Sequence, residues 1–192
     1  MFDTFLIDHP LVAVGIWIVV YVSDYYLTLW GARLFKNVAG AFIDMEGSYE
    51  IEQVWQKDVD ALRHLSPQFL YYLGLSSAVF LAVWWYSVRY INVPGLFLFA
   101  FGSFVLTQVV VHMRHVRNIL YFRSLRTPGA IEGRIKYARW ASERTSAVDL
   151  VCFAALFVLC YLLSERVMFL GGALGCLGSA RRHWRQARRA RV

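Results

Sequence analysis

Residues 11–33 read LVAVGIWIVVYVSDYYLTLWGAR, and this stretch decides the fold of the chain. It is slightly longer than the roughly 20 residues that an α-helix needs to cross the apolar core of a bilayer. It also carries one carboxylate, Asp24, close to its middle. Because a charged side chain inside a bilayer is costly, we expect Asp24 to face other helices or water rather than lipid.

Further apolar stretches follow at residues 69–88, 95–113 and 147–163. Hydrophobic residues make up 58% of the 192-residue chain, whereas a soluble domain of this size has roughly 45–50%. The excess lies in uninterrupted runs, which is typical of membrane-spanning helices. The sequence therefore predicts one membrane domain over residues 1–192, an all-α polytopic transmembrane helix bundle with four full spans.

The distribution of positive charge predicts the orientation of these spans. Residues 114–144 carry eight arginines and lysines but only two glutamates. Basic loops are enriched on the cytoplasmic side of membranes, so residues 114–146 are predicted to be cytoplasmic. Residues 34–68 then lie on the same side, and the N-terminus lies outside. The predicted location is the cytoplasmic (inner) membrane, as a multi-pass protein.

The last apolar region, residues 147–179, is too long for one ordinary crossing. A single tilted helix would place the basic C-terminal tail outside, against the charge rule. We therefore favour a hairpin, in which a short leg at residues 167–180 returns toward the cytoplasm. Gly171 and Gly175 in this leg form a GxxxG pair, which permits close helix packing within the chain or with a neighbouring subunit.

The segment between the first two spans contains QVWQKDVDALRHL, residues 53–65. Trp55, Val59 and Leu62 share one helical face, so the segment is predicted to be an amphipathic helix in the membrane interface. Packing of this helix on another part of the protein is the alternative. The acidic stretch at residues 43–52 is expected to dock on the basic loop.

A polar pocket in the cytoplasmic half of the bundle is predicted around Asp24. Polar residues of the other spans lie at a similar depth, and several of them can donate hydrogen bonds. The predicted pocket residues are Tyr21, Asp24, Thr28, Gln108, His112, Arg114, His115 and Asp149.

Four interpretations of this pocket are open. Asp24 and His112 can relay a proton or bind a cation during transport. Asp24, His112 and His115 can ligate a metal, but the HxxH spacing of the two histidines is weak support, and a catalytic zinc needs three protein ligands and an open position. Arg114 and Arg117 can bind the phosphate of a lipid headgroup. A buried polar network that only fixes helix packing is the fourth interpretation, and neither a metal nor a cofactor is predicted.

Basic and aromatic side chains near the predicted membrane surface indicate contact with anionic lipids. The residues predicted to bind headgroups or to lie in the interface are Trp55, Arg117, Arg123, Arg126 and Trp184. The expected partners are thus anionic lipids and a second copy of the chain or another membrane protein. Nucleic-acid binding is not expected, because topology already accounts for the basic charge.

Several stretches together carry a resemblance over nearly the whole chain: SDYYLTLWGARL, EGSYE, QKDVDALRHLSP, HMRHVRN, GAIEGRIKY and GGALGCLGSARRHW. The chain resembles a group of small multi-pass prokaryotic membrane proteins with no assigned activity. The resemblance implies a bacterial or archaeal cytoplasmic membrane and implies no activity.

The function predicted from these patterns is that of a small transporter-like or ion- and proton-handling membrane protein. A lipid-binding membrane enzyme, or a structural or accessory subunit of a membrane complex, is the alternative. The sequence contains neither GxSxG nor HExxH, so enzymatic activity is not favoured.

Overall fold

The computed structural model describes residues 2–46 and 54–191. Within them, helices dominate, and one small sheet of two strands joins two connecting segments. The elements in chain order are α1 (Phe2–Asp8), α2 (Pro10–Asn37), β1 (Ile43–Met45), α3 (Gln56–Asp60), α4 (Pro67–Trp84), α5 (Pro94–Ser124), β2 (Ile135–Tyr137), α6 (Arg139–Ser164) and α7 (Val167–Ala190). A 3-10 turn, Ala39–Ala41, precedes β1, and a π-helical turn, Trp85–Tyr90, extends α4.

Four helices are long and apolar enough to cross a membrane, which confirms the prediction of an all-α protein with four such helices. Three of them begin with a proline in the first turn, where the missing N–H costs nothing. Each helix is longer than its predicted span. The four helices are Pro10–Asn37, Pro67–Tyr90, Pro94–Ser124 and Arg139–Ser164.

Contacts between aromatic side chains fix the relative directions of α2, α4 and α5. The indole Nε1 of Trp17 donates to Ser76 Oγ at 2.9 Å, and the rings of Tyr25 and Phe69 lie 4.3 Å apart. As residue numbers rise along α2 they fall along α4, so these helices are antiparallel. The rings of Trp17 and Phe104 lie 5.7 Å apart, and the rings of residues 35 and 122 lie 5.8 Å apart, so α5 runs parallel to α2.

The C-terminal region forms a helical hairpin rather than one long helix. The helix α6 ends at Ser164. The next residue, Glu165, has a left-handed backbone conformation with φ of 56°, and α7 begins at Val167. The ring pair Phe157 and Phe169, 6.5 Å apart, shows that α7 runs back along α6. The returning helix, Val167–Ala190, is longer than predicted because its helical periodicity continues through the basic tail.

Glycines allow α7 to pack closely on α5. A Cβ atom at Gly171 would overlap the Phe99 carbonyl oxygen, and one at Gly175 would meet Ser103 and Thr107. In these contacts the residue numbers increase in the same direction along both helices, so α5 and α7 are parallel. The face that carries Gly171 and Gly175 is therefore covered by α5 of the same chain. This is packing within the chain, one of the two arrangements that the sequence left open.

The predicted amphipathic interfacial helix is shorter than expected, and the structure favours the alternative. The helix α3 covers only five residues, and its Val59 is 1% exposed in a cluster with Tyr25 and Phe69. Asp58 is buried and accepts a hydrogen bond from Ser66, the residue that caps α4. The apolar side of this segment thus packs on α2 and α4.

The strands β1 and β2 pair in parallel, with Ile43 opposite Ile135. The acidic stretch docks on the basic loop at this point, since Glu46 Oε2 accepts a hydrogen bond from the Arg139 backbone N–H at 3.1 Å. Two further acidic residues of the stretch, Glu50 and Glu52, lie outside the described residues.

Candidate functional site

One end of the bundle contains a cavity of about 470 Å³ between α2, α5, α6 and α7, near the β1–β2 pair. On α2, the residues that line the cavity lie between Tyr21 and Thr28. On α5, they lie between Gln108 and Phe122. The part of α6 that lines it is the first three turns, and the part of α7 is the basic half. The cavity therefore lies at the end of the bundle that carries most of the basic residues.

Asp24 lies in this cavity with two histidines of α5 beside it. Its Oδ1 atom is 3.5 Å from His115 Nε2 and 3.8 Å from His112 Nδ1. All three side chains are largely shielded, with exposed fractions between 14% and 21%. The carboxylate is thus directed at α5 rather than at the outside of the bundle, as its cost in an apolar environment requires.

The hydrogen-bond partners determine which nitrogen of His115 carries hydrogen. The Thr28 hydroxyl donates to the Asp24 carbonyl at 3.0 Å and therefore has no hydrogen left for His115. His115 Nε2 lies 3.1 Å from this hydroxyl, so Nε2 is the donor. The same nitrogen lies 3.5 Å from the Asp24 carboxylate, close enough for an attractive electrostatic contact.

His112 is held by two different contacts. Its Nδ1 atom donates to the Gln108 carbonyl at 2.7 Å, since a carbonyl can only accept. Its Nε2 atom lies 2.8 Å from the Ser23 hydroxyl, which is also within reach of the Val19 carbonyl at 2.7 Å. The Ser23 contact joins α2 to α5, whereas the Gln108 contact lies within α5.

A second carboxylate, Asp149 of α6, faces two arginines of α5. Its Oδ2 atom lies 3.2 Å from Arg117 and 3.8 Å from Arg114. Arg114 also donates to the Ser146 hydroxyl, which is buried one turn away on α6. The Arg117 side chain remains 57% exposed, so it can bind another anion without leaving Asp149.

A third group, Glu143 with His183, was not identified from the sequence. Glu143 is fully buried, and its Oε2 atom accepts a hydrogen bond from His183 Nδ1 at 2.7 Å. Arg139 lies 3.9 Å from the other carboxylate oxygen. The pair depends on the register between α6 and α7, and the sequence holds no signal for that register.

Aromatic side chains form the wall opposite the arginines. The ring of Phe69 stacks on Tyr25 at 4.3 Å and on Tyr21 at 5.4 Å. Trp55 closes the cluster with its ring 6.4 Å from Tyr25. The cavity thus has a cationic and an apolar side, which suits an amphipathic ligand.

The half of the bundle beyond Tyr21 is packed with apolar side chains. Trp17 is 4% exposed and contacts the rings of Phe80 and Phe104. Phe101 and Val105 of α5 are buried in the same cluster. The cavity therefore ends against this aromatic packing.

Seven of the eight residues predicted for the pocket line the cavity, and the eighth, His112, contacts Asp24 from behind it. Among the predicted headgroup residues, Arg117 and Trp55 also line the cavity. Arg123 and Arg126 are exposed at the end of α5. Trp184 is 40% exposed, and the Arg144 guanidinium lies 5.4 Å from its ring centre.

No group of three or more His, Cys, Asp or Glu side chains that could hold a metal occurs in residues 2–46 and 54–191. Asp24, His112 and His115, the three residues of the metal interpretation, therefore do not form such a group. Comparison of the chain with protein families, with curated proteins and with solved structures finds no match.

Proposed function

We propose that this chain is an integral membrane protein that binds the phosphate-bearing headgroup of an anionic lipid in the cavity beside Asp24. The observation that carries the proposal is a row of four arginines along the cavity: Arg114, Arg117, Arg139 and Arg182. Guanidinium groups match the geometry of phosphate oxygens and form charge-assisted hydrogen bonds with them.

The size and the two-sided lining support a lipid rather than an inorganic ion. A volume of about 470 Å³ falls within the range of small-molecule sites, roughly 300–1,000 Å³. The aromatic wall of Tyr21, Tyr25 and Phe69 gives the glycerol backbone and the start of an acyl chain an apolar surface. Asp149 lies beside Arg114 and Arg117, and Glu143 lies beside Arg139, so these carboxylates offset the repulsion between the arginines.

Ion transport is less well supported by the same geometry. A path for protons or cations needs a polar route from Asp24 to the other end of the bundle. The helices beyond Tyr21 are packed by Trp17, Phe101 and Val105 instead. We therefore favour the lipid-binding alternative, and by the charge rule we place the cavity on the cytoplasmic side of the inner membrane.

Native mass spectrometry of the full chain in detergent tests this proposal. The probes are phosphatidic acid, phosphatidylglycerol, phosphatidylcholine as the zwitterionic control, and soluble glycerol 1-phosphate and inorganic phosphate. We expect one molecule of anionic lipid to bind, and the two soluble phosphates to bind far more weakly because they do not reach the aromatic wall.

Two matched variants locate the site. Arg117→Gln should lower the affinity for phosphatidic acid about tenfold, the effect of losing one hydrogen bond to a charged group. Arg188→Gln removes the same charge from the exposed part of α7 outside the cavity and should leave the affinity unchanged. Equal losses in both variants would show that lipid binds only to the general basic surface, and the proposal would be wrong.

A further inference from the structure

The pair Glu143 and His183 is a feature of the cavity that the four arginines do not explain. Glu143 is fully buried and His183 is 8% exposed, yet His183 lines the cavity. A buried carboxylate that holds a histidine through Nδ1 fixes the ring orientation and leaves the opposite nitrogen available for another partner.

The tautomer of His183 follows from its partner. The Glu143 carboxylate only accepts hydrogen bonds, so Nδ1 carries the hydrogen. In a neutral imidazole of this tautomer, the lone pair is at Nε2. Within residues 2–46 and 54–191, Nε2 of His183 has no hydrogen-bond partner.

Cationic side chains line the same cavity as His183. Arg182 is the adjacent residue on α7 and lines the cavity, and Arg139 lies 3.9 Å from the far oxygen of Glu143. A phosphate bound by these arginines would lie next to His183. Because Nε2 accepts, the neighbouring group of the ligand must donate a hydrogen bond, and a hydroxyl group is the donor that carries no charge to conflict with the arginines.

We propose that His183 accepts a hydrogen bond from a hydroxyl group next to the bound phosphate, so that the ligand has a phosphoglycerol headgroup. This inference rests on the proposed function, since it assigns a class of lipid to the same cavity. It predicts that the site prefers phosphatidylglycerol to phosphatidic acid, whose phosphate carries no glycerol headgroup and therefore lacks the two glycerol hydroxyls.

The test uses the unaltered full chain in nanodiscs of phosphatidylcholine, alone or with one of the two anionic lipids. Diethyl pyrocarbonate acylates imidazole lone pairs, and mass spectrometry reports the rate at each of the five histidines. We expect His183 to react in phosphatidylcholine, and phosphatidylglycerol to slow this reaction about five- to tenfold more than phosphatidic acid does. The exposed His9 and His64 serve as controls, and their rates should not change.

Three results would overturn the inference: no reaction at His183 in phosphatidylcholine, equal protection by the two anionic lipids, or no protection by a lipid that native mass spectrometry shows to be bound. If neither anionic lipid binds at all, the proposed function itself fails, so the two failures are distinguishable. As a second measurement, the ¹⁵N spectrum of histidine-labelled protein should show hydrogen on Nδ1 of His183, and the opposite tautomer would contradict the inference.

Discussion

His115 Nε2 lies 3.5 Å from the Asp24 carboxylate, across the contact between α2 and α5. The two residues are far apart in the sequence, and parallel packing of their helices brings them together. The Thr28 hydroxyl accepts the hydrogen of this nitrogen and itself donates to the Asp24 backbone carbonyl. A carboxylate in an otherwise apolar helix is thus stabilised by hydrogen donors on a neighbouring helix.

Replacement of Asp24 with asparagine should destabilise the protein. The amide is neutral, and its NH₂ group would face the donor nitrogens of His112 and His115. We expect the free energy of unfolding in detergent to fall by about 1–2 kcal/mol, as for a partly shielded hydrogen bond to a charged group. Asp44→Asn, on the exposed side of β1, is the matched control and should have little effect. Unchanged stability of Asp24→Asn would mean that these contacts contribute nothing to the fold.

The contact between α5 and α7 predicts a difference between two glycines of the same helix. Gly171→Ala places a methyl group against the Phe99 carbonyl oxygen, whereas a methyl group at Gly178 would meet no atom within 4 Å. We expect Gly171→Ala to lower the free energy of unfolding by about 2–3 kcal/mol, because overpacking forces the helices apart. Gly178→Ala should be neutral or slightly stabilising. Similar values for the two variants would contradict the close approach of α5 and α7.

Removal of the Asp149 charge should strengthen ligand binding. Its carboxylate lies 3.2 Å from Arg117 and 3.8 Å from Arg114, so it competes with an incoming phosphate for both side chains. In Asp149→Asn, we expect the Kd for phosphatidic acid to fall about three- to tenfold, as measured by native mass spectrometry. Asp8→Asn makes the same change at the opposite end of the bundle and should leave the Kd unaltered. A weaker affinity in Asp149→Asn would argue that the arginines do not hold the phosphate.

The buried pair of Glu143 and His183 predicts coupling between two substitutions. Glu143→Leu leaves the His183 Nδ1–H without its acceptor and should lower the free energy of unfolding by about 3 kcal/mol, since one partner of a buried pair is lost. The double variant Glu143→Leu/His183→Leu should lose less than the sum of the two single variants. The exposed Glu132→Leu controls for the substitution itself. Additive losses would show that the two side chains do not interact.

Much of the helical framework was predictable because the apolar runs are long and their boundaries are marked. Pro67 and Pro94 lie in the first turns of helices, and Ser164-Glu165-Arg166 interrupts the last apolar region where α6 ends. The α5 helix nevertheless continues past the predicted end at Met113, because arginine is a good helix former and its charge ends only the apolar surface.

The features that sequence reasoning missed depend on contacts between distant segments. The strand pairing of Ile43 with Ile135 joins two segments of three residues each, which are too short for their alternation of apolar and charged residues to predict a strand. Trp55 lies in the aromatic wall of the cavity, a contact that the sequence did not indicate, and its position in the membrane interface stays a prediction. Residues near Asp24 could be predicted, since their depth in each span was readable, whereas Glu143 and His183 required the register of α6 against α7.

Binding of a lipid headgroup in the cavity can be observed in a high-resolution map of the full chain in nanodiscs that contain phosphatidylglycerol. We expect density for one headgroup in the cavity, with phosphate oxygens about 3 Å from the guanidinium groups of Arg114 or Arg117. The aromatic side chains Tyr21, Tyr25 and Phe69 should contact the apolar part of the same molecule. A cavity that contains only water while lipid density surrounds the outside of the bundle would contradict it.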